Sequence, residues 1–378
     1  RRDFFLNDSD LFQFGSISRM SAGNSATGGA SRENARPYFS RKIGLAGNGT
    51  PADIEYGGRV SGRVGRFNIG TLAVRQGATD DVAADDMLVT RISANVLSDS
   101  RVGFIYTDGD PTSNVDNSVI GVDFNYVDSN IREGRQLQSN VFFQQSDTPG
   151  LEGDDASYGF GVALPASDGL RSRVGYKVVE ENFNPAMGFI NRSNIEDYTA
   201  DIGYTHFFDG GPFQTAFAGI DMQRIEVIDG DLQSEVVAYR LLELETGTRD
   251  GFNLSYVSNK ENVLQPFTIY REPGREIVVQ PGNYSFDEQE VGLSTGGQRE
   301  FSGSLSYRTG DFYNGERQNV NASFAWNQSR YFRATVRMDW NDIELPQGTF
   351  ITRLSSVNTQ VAFTPELYWI TLAQYDNI

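Results

Sequence analysis

Apolar and polar residues alternate with a period of two along many stretches of this chain, as β-strands with two chemically opposite faces require. From residue 332 to 341, Phe332, Ala334, Val336, Met338 and Trp340 interleave with Arg333, Thr335, Arg337, Asp339 and Asn341. Just upstream, Val320, Ala322, Phe324 and Trp326 alternate with Asn319, Asn321, Ser323 and Asn327. The same holds for Phe301, Gly303, Leu305 and Tyr307 against Ser302, Ser304, Ser306 and Arg308. Ile120, Val122, Phe124 and Tyr126 oppose Asp123 and Asn125, and Leu170, Val174, Tyr176 and Val178 oppose Arg171, Arg173 and Lys177.

Read through to its end, the pattern predicts strands near 37–46, 54–65, 67–76, 87–97, 101–108, 117–128, 136–146, 156–165, 169–180, 195–208, 214–228, 231–245, 250–259, 283–294, 300–309, 317–328, 331–342, 349–363 and 366–376. The triplet Ile277, Val278 and Val279 is a candidate for a short extra hairpin. Strands of a soluble sandwich or propeller usually run about 5 to 6 residues. These run about 10, which matches a tilted crossing of the hydrocarbon layer. A face carrying Arg, Asp, Gln and Asn is also unsuited to a sandwich core, because burying unpaired charge is costly. Aromatic residues gather at segment ends, as in Tyr38-Phe39, Phe207-Phe208, Tyr331-Phe332 and Tyr368-Trp369, where the two interfaces of a bilayer would place them.

The expected fold is therefore all-β: a transmembrane antiparallel up-and-down β-barrel of about 18–20 strands. Residues 1–36 form a lead-in whose 16–36 stretch, rich in Ser, Gly, Ala and Asn, is expected to be flexible, and 37–378 form the barrel. Short turn signals at Asp168-Gly169, Asp209-Gly210-Gly211, Asp229-Gly230 and Thr309-Gly310-Asp311 are expected on the periplasmic side. Longer connections at 108–117, 146–155, 180–194 and 258–283 are expected outside or folded into the lumen.

Composition narrows the function classes. Hydrophobic residues are 38% of the 378, and no run approaches the roughly 20 apolar residues of a spanning helix. The net charge of -18 disfavours nucleic acid as a partner. With no cysteine, thiolate chemistry and disulfides are excluded. His206, the one histidine, falls near a strand end among apolar neighbours and reads as structural, and with no cysteine a Ser-His-Asp triad would hang on this residue alone. Acidic groups at Asp80-Asp81 with Asp85-Asp86, at Asp108, Asp110 and Asp116, and at Asp154-Asp155 read as solvated turns in preference to Ca²⁺ loops. No enzyme, cofactor or metal site is expected. Arg171, Arg173, Lys177, Arg333, Arg337 and Asp339 are candidate lumen-lining residues, the cations either selecting anions or satisfying lumenal carboxylates.

Arg2-Asp3-Phe4-Phe5-Leu6, Tyr38-Phe39-Ser40-Arg41-Lys42-Ile43-Gly44-Leu45, Gly62-Arg63-Val64-Gly65, Asp147-Thr148-Pro149-Gly150, Asn182-Phe183-Asn184-Pro185-Ala186-Met187-Gly188-Phe189, Pro281-Gly282-Asn283-Tyr284 and Asp342 through Gly348 together resemble a family of bacterial outer-membrane proteins. Its members carry a C-terminal β-barrel of unknown function after a domain similar to family-nine carbohydrate-binding modules, and are often labelled membrane-associated hydrolases. The resemblance implies an upstream domain before Arg1 and further strands beyond Ile378. It supplies no catalytic motif. The function expected is an outer-membrane channel or translocation pore. The alternatives are an anchor for a glycan-binding or hydrolytic N-terminal domain, and a partner-binding barrel in an envelope assembly. The expected partners are outer-membrane lipid, glycans or small solutes, and other envelope proteins, without nucleic acid.

Overall fold

The computed structural model describes residues 9–15, 34–47, 49–132 and 135–377. Apart from a 3-10 turn at Ser9–Phe12, its regular elements are twenty β-strands. They are β1 (Ile54–Val64), β2 (Phe67–Gln76), β3 (Asp85–Val96), β4 (Ser100–Asp108), β5 (Ser118–Arg132), β6 (Arg135–Asp147), β7 (Ala156–Leu164), β8 (Gly169–Val179), β9 (Ile195–Phe207) and β10 (Phe213–Val227). Then come β11 (Leu232–Thr246), β12 (Gly251–Val263), β13 (Phe267–Glu272), β14 (Arg275–Val279), β15 (Gly282–Ser294), β16 (Phe301–Phe312), β17 (Gly315–Ser329), β18 (Phe332–Leu345), β19 (Gly348–Ala362) and β20 (Tyr368–Asp376). No helix among the described residues is long and apolar enough to cross a membrane.

Eighteen strands form one antiparallel sheet in which each pairs with its chain neighbours, β12 joining β15 directly; β13 and β14 make a separate hairpin. The architecture is thus all-β, antiparallel and up-and-down, as the alternation predicted. The sheet strands run from nine residues (β4, β7, β20) to fifteen (β5, β10, β11, β17, β19), the length that a tilted membrane crossing needs.

Three expectations change. Residues 37–46 form no strand. They turn at Phe39–Lys42, where Lys42 N–H donates to the Phe39 carbonyl, and they meet the rest of the chain through side chains, the Phe39 N–H bond to the Met187 carbonyl and an isolated bridge at Leu45–Pro51. The tract 309–311 lies inside β16, whose hairpin turn is Tyr313-Asn314. Successive antiparallel connections fall at alternate ends, so Asp229-Gly230, between β10 and β11, cannot share an end with Asp168-Gly169 and 209–211. The flexible stretch expected at 16–36 lies outside the described residues except for 34–36.

The chain divides into two compact units, one of Arg1–Ala166, Ser172–Ala200 and Ile225–Asp231 and one of Ser167–Arg171, Asp201–Arg224 and Leu232–Ile378. In each, one sheet face keeps apolar side chains in the open. Val102, Phe104, Ile120, Val122, Val141 and Phe143 are 36–51% exposed in the first unit. Leu293, Leu305, Phe324, Val336 and Met338 are 43–57% exposed in the second.

Candidate functional site

In the first unit the other sheet face is covered by the chain's own N-terminal segment. Leu72 and Val74 of β2 and Met87 and Val89 of β3 alternate toward that face and bury against Phe12, Ile43 and Met187, with Leu11, Tyr38 and Ile54 at the margin. A second cluster joins Ala35 to Val119, Val179, Phe183, Ile195 and Ile225. Apolar side chains fully buried in this way contribute about 1.5–3 kcal/mol each. Burial also raises the Tyr38 phenol above its ordinary pKa.

Polar side chains of the strands then fix the covering backbone. Gln144 Nε2 donates to the Ala35 carbonyl at 2.7 Å, and Gln76 accepts from Gly44 N–H at 2.8 Å while donating to the Pro111 carbonyl. Lys177 Nζ donates to the Asn34 carbonyl at 3.3 Å. Asn34 reaches in turn into the 180–194 connection, donating to the Arg192 carbonyl and accepting from Asn191 N–H at 2.6 Å. Arg36 and Phe189 exchange two backbone bonds of 2.9 Å, and Phe39 N–H donates to the Met187 carbonyl. Gly188 admits this approach because a side chain there would strike the Arg36 carbonyl.

Below the cover lies a charged layer. The Arg91 guanidinium, 2% exposed, contacts Asp123, 1% exposed, at 2.6 Å. It lies across Gly103, whose lack of a Cβ leaves the space, and beneath the Phe14 ring at 5.3 Å. Asn125 donates to Asp123 at 3.1 Å, and Asn140 donates to Asn125 at 2.8 Å. A buried ion pair in low dielectric needs such further hydrogen bonds to offset desolvation.

The six candidate lumen-lining residues separate into two kinds of environment. Lys177 lies 3.5 Å from Asp197, and Arg173 is buried on the same covered face. In the second unit Arg171 lies 3.6 Å from Asp201, with its guanidinium 4.2 Å from the Phe217 ring; Arg240 flanks the same ring at 4.2 Å. Arg333 and Arg337, by contrast, are exposed on the polar face of β18. Asp339, on that face, accepts from Asn341 and Asn319.

The β13–β14 hairpin forms the second unit's own cover. Ile277 and Val279 bury against Val263, Ile343, Leu345 and Phe350, Tyr270 stacks on Phe350 with centroids 4.5 Å apart, and Arg275 donates to the Thr349 carbonyl at 2.5 Å. Tyr313, in the β16–β17 turn, donates to Glu261 at 2.9 Å, and burial raises its pKa.

Among the described residues the sequence candidates for catalytic or metal chemistry lie apart. His206 meets only the edge of Phe208 at 4.7 Å among the described contacts. Asp110 accepts from Thr112 and Ser113 within its own turn, and no cluster of three or more His, Asp or Glu residues suited to a metal occurs among the described residues. Sequence reasoning missed the clamp of 34–47 onto 180–194. Its signals were the amide side chains Gln76, after Leu72 and Val74 on one face of β2, and Gln144, after Phe142 on β6.

No protein-family model matches the chain, and no curated protein matches it. Among solved structures, OccK10 (OpdN) of Pseudomonas aeruginosa is similar with a TM-score of 0.43 and 10% identity, over 82% of this chain and 92% of that one. The ferric-catecholate import receptor Fiu of E. coli K12, in its open form, is similar with a TM-score of 0.33 and 10% identity, over 82% of this chain and 63% of that one.

Proposed function

We propose that the chain is a transmembrane β-barrel of a Gram-negative outer membrane and works as a channel for small solutes, narrowed by its own covering segments. The observation that carries the reading is the division of the sheet into two faces. Exposed Val, Leu, Ile and Phe side chains on one face suit lipid, whereas the opposite face holds charges, amides and hydroxyls that suit water. Strands of nine residues or more give that apolar face the height of a hydrocarbon layer.

The test is conductance of the purified full chain in planar bilayers. Discrete steps are expected, smaller than those of an unobstructed barrel because residues 34–47 and the β13–β14 hairpin cover the polar face. Insertion without conductance would overturn the channel and favour a second reading, a membrane anchor for a glycan-binding or hydrolytic domain. The hydrogen-bonded cover over the first unit is the observation that favours it.

A further inference from the structure

On the polar face of the second unit the charges sort by position along the strands. Toward the β16–β17 turn they are neutralised in pairs: Arg317 meets Glu288 at 2.5 Å and Arg308 meets Glu290 at 2.5 Å. Next comes a belt of amides. Asn321 donates to Asn319 at 2.6 Å, Asn319 donates to Asn341 at 2.8 Å, and the Asp339 carboxylate is engaged by Asn341 and Asn319.

Beyond that belt the chemistry changes. One cross-strand row reads Ser294, Ser304, Ser323, Arg337, Ser356 and Gln374 from β15 to β20. The next reads Ser302, Ala325, Thr335, Asn358 and Leu372, and the one after joins Arg333 to Gln360 and Ile370. None of these three rows contains a carboxylate. Among the described residues Arg333 and Arg337 have no ion-pair, hydrogen-bond or ring partner. The chain carries a net charge of -18, and the polar-face cations Arg91, Arg171, Lys177, Arg240, Arg308 and Arg317 each contact a carboxylate. Two arginines free of acid, side by side with hydroxyls, therefore make a local excess of positive charge in an acidic protein.

We propose that Arg337, flanked by Ser323 and Ser356, together with Arg333 forms a binding step for small oxyanions, carboxylate or phosphate. A guanidinium offers a planar fork of N–H donors that matches two oxygens of such an anion. Adjacent strands lie about 4.8 Å apart, so the two serine hydroxyls stand on either side of the arginine, close enough to donate to the same anion. Arg333 follows roughly 13–14 Å along the strand on the same face, which provides a second station. The inference deepens the channel reading by giving the passage a charge preference, and it rests on that reading only for its transport consequence.

Arginine modification tests the site without any need for conductance. In phosphate-free detergent, phenylglyoxal labelling mapped by mass spectrometry is expected to reach Arg333 and Arg337 well before Arg91, Arg308 and Arg317. Inorganic phosphate is expected to slow labelling at Arg333 and Arg337 several-fold while leaving the others unchanged. Labelling that ignores phosphate would overturn the site, as would protection by vesicles of anionic phospholipid but not by inorganic phosphate, which would assign a lipid headgroup. In bilayers under a salt gradient, Arg333→Gln with Arg337→Gln is expected to move the reversal potential toward cation preference. An unchanged potential with intact conductance would overturn the selectivity role. Absence of any conductance would remove the channel reading, and phosphate protection would still decide the oxyanion site.

Discussion

Asp123 and Asp250 are both ion-paired carboxylates, and their surroundings give them opposite sensitivities. Asp123 is sealed with Arg91 at 2.6 Å under the cover of the first unit. Asp123→Ala strands a buried guanidinium, which costs on the order of 3–5 kcal/mol, whereas a paired Arg91→Met, Asp123→Leu variant is expected to lose far less. Thermal unfolding in detergent, followed by the heat-dependent gel shift, checks this; equal losses in both variants would contradict the account. Asp250 is partly exposed, in the β11–β12 turn. It accepts from Gly296 N–H at 3.0 Å and from Arg299 at 2.6 Å, and the backbone bond first, then the arginine, holds its carboxyl below the usual range. The folded pKa lies below the unfolded one, so this tie between two hairpin ends is fully present above the unfolded value and is lost only as pH falls through the folded value. An amide shift of Gly296 that titrates below pH about 3.8–3.9 is the expected readout, and Asp250→Asn should abolish the titration. Such pairings were not legible beforehand. Arg171 and Lys177 stood out by residue type and face, but their partners Asp201 and Asp197 sit on a neighbouring strand, and only the register brings them together.

At the scale of elements, period-two alternation was sufficient wherever a strand has one bare apolar face and one polar face. Every strand expected from residue 54 onward coincides with one of the eighteen in the sheet, and the Ile277–Val279 triplet belongs to β14. The failure at 37–46 has a physical cause. Its side chains Tyr38 and Ile43 bury against Leu72, Val74, Met87 and Val89, so the segment acts as a filler whose backbone is held by Gln76 at Gly44 and by the Met187 carbonyl at Phe39, with Gln144 and Phe189 holding Ala35 and Arg36 just before it, not by a ladder. Alternation cannot report that arrangement. The β13–β14 hairpin is a filler of the same kind, bounded by Pro266 and Pro281. Replacing 264–281 by a short Gly-Ser linker is expected to leave the sheet folded, because β12 and β15 already pair along their whole length. The change uncovers Ile343, Leu345 and Phe350 and should raise single-channel conductance. A shortened protein with unaltered conductance would show that the hairpin does not narrow the passage.

For the whole molecule, sheet pairing proceeds between successive strands, with β12 to β15 passing over the β13–β14 hairpin, whereas the cover over the first unit joins residues far apart in the chain, as at the Arg36–Phe189 bridge. Closing a loop costs only about 0.6 kcal/mol more per doubling of its length, so this separation does not make the contact unstable. It makes the contact late. The surfaces that Ala35 and Ile43 bury against are assembled from β2, β3, β5, β8, β9 and β10, and do not exist until those strands have joined. The sheet is therefore a local, zipper-like process and its cover a non-local one. Refolding from urea into detergent should show amide protection in β2 to β8 before protection at Arg36 and Phe39, and simultaneous protection would refute that order. A chain that pairs its strands by the nearest-neighbour rule and adds their cover by a long-range one passes through a moment when the sheet stands and its polar face is still bare.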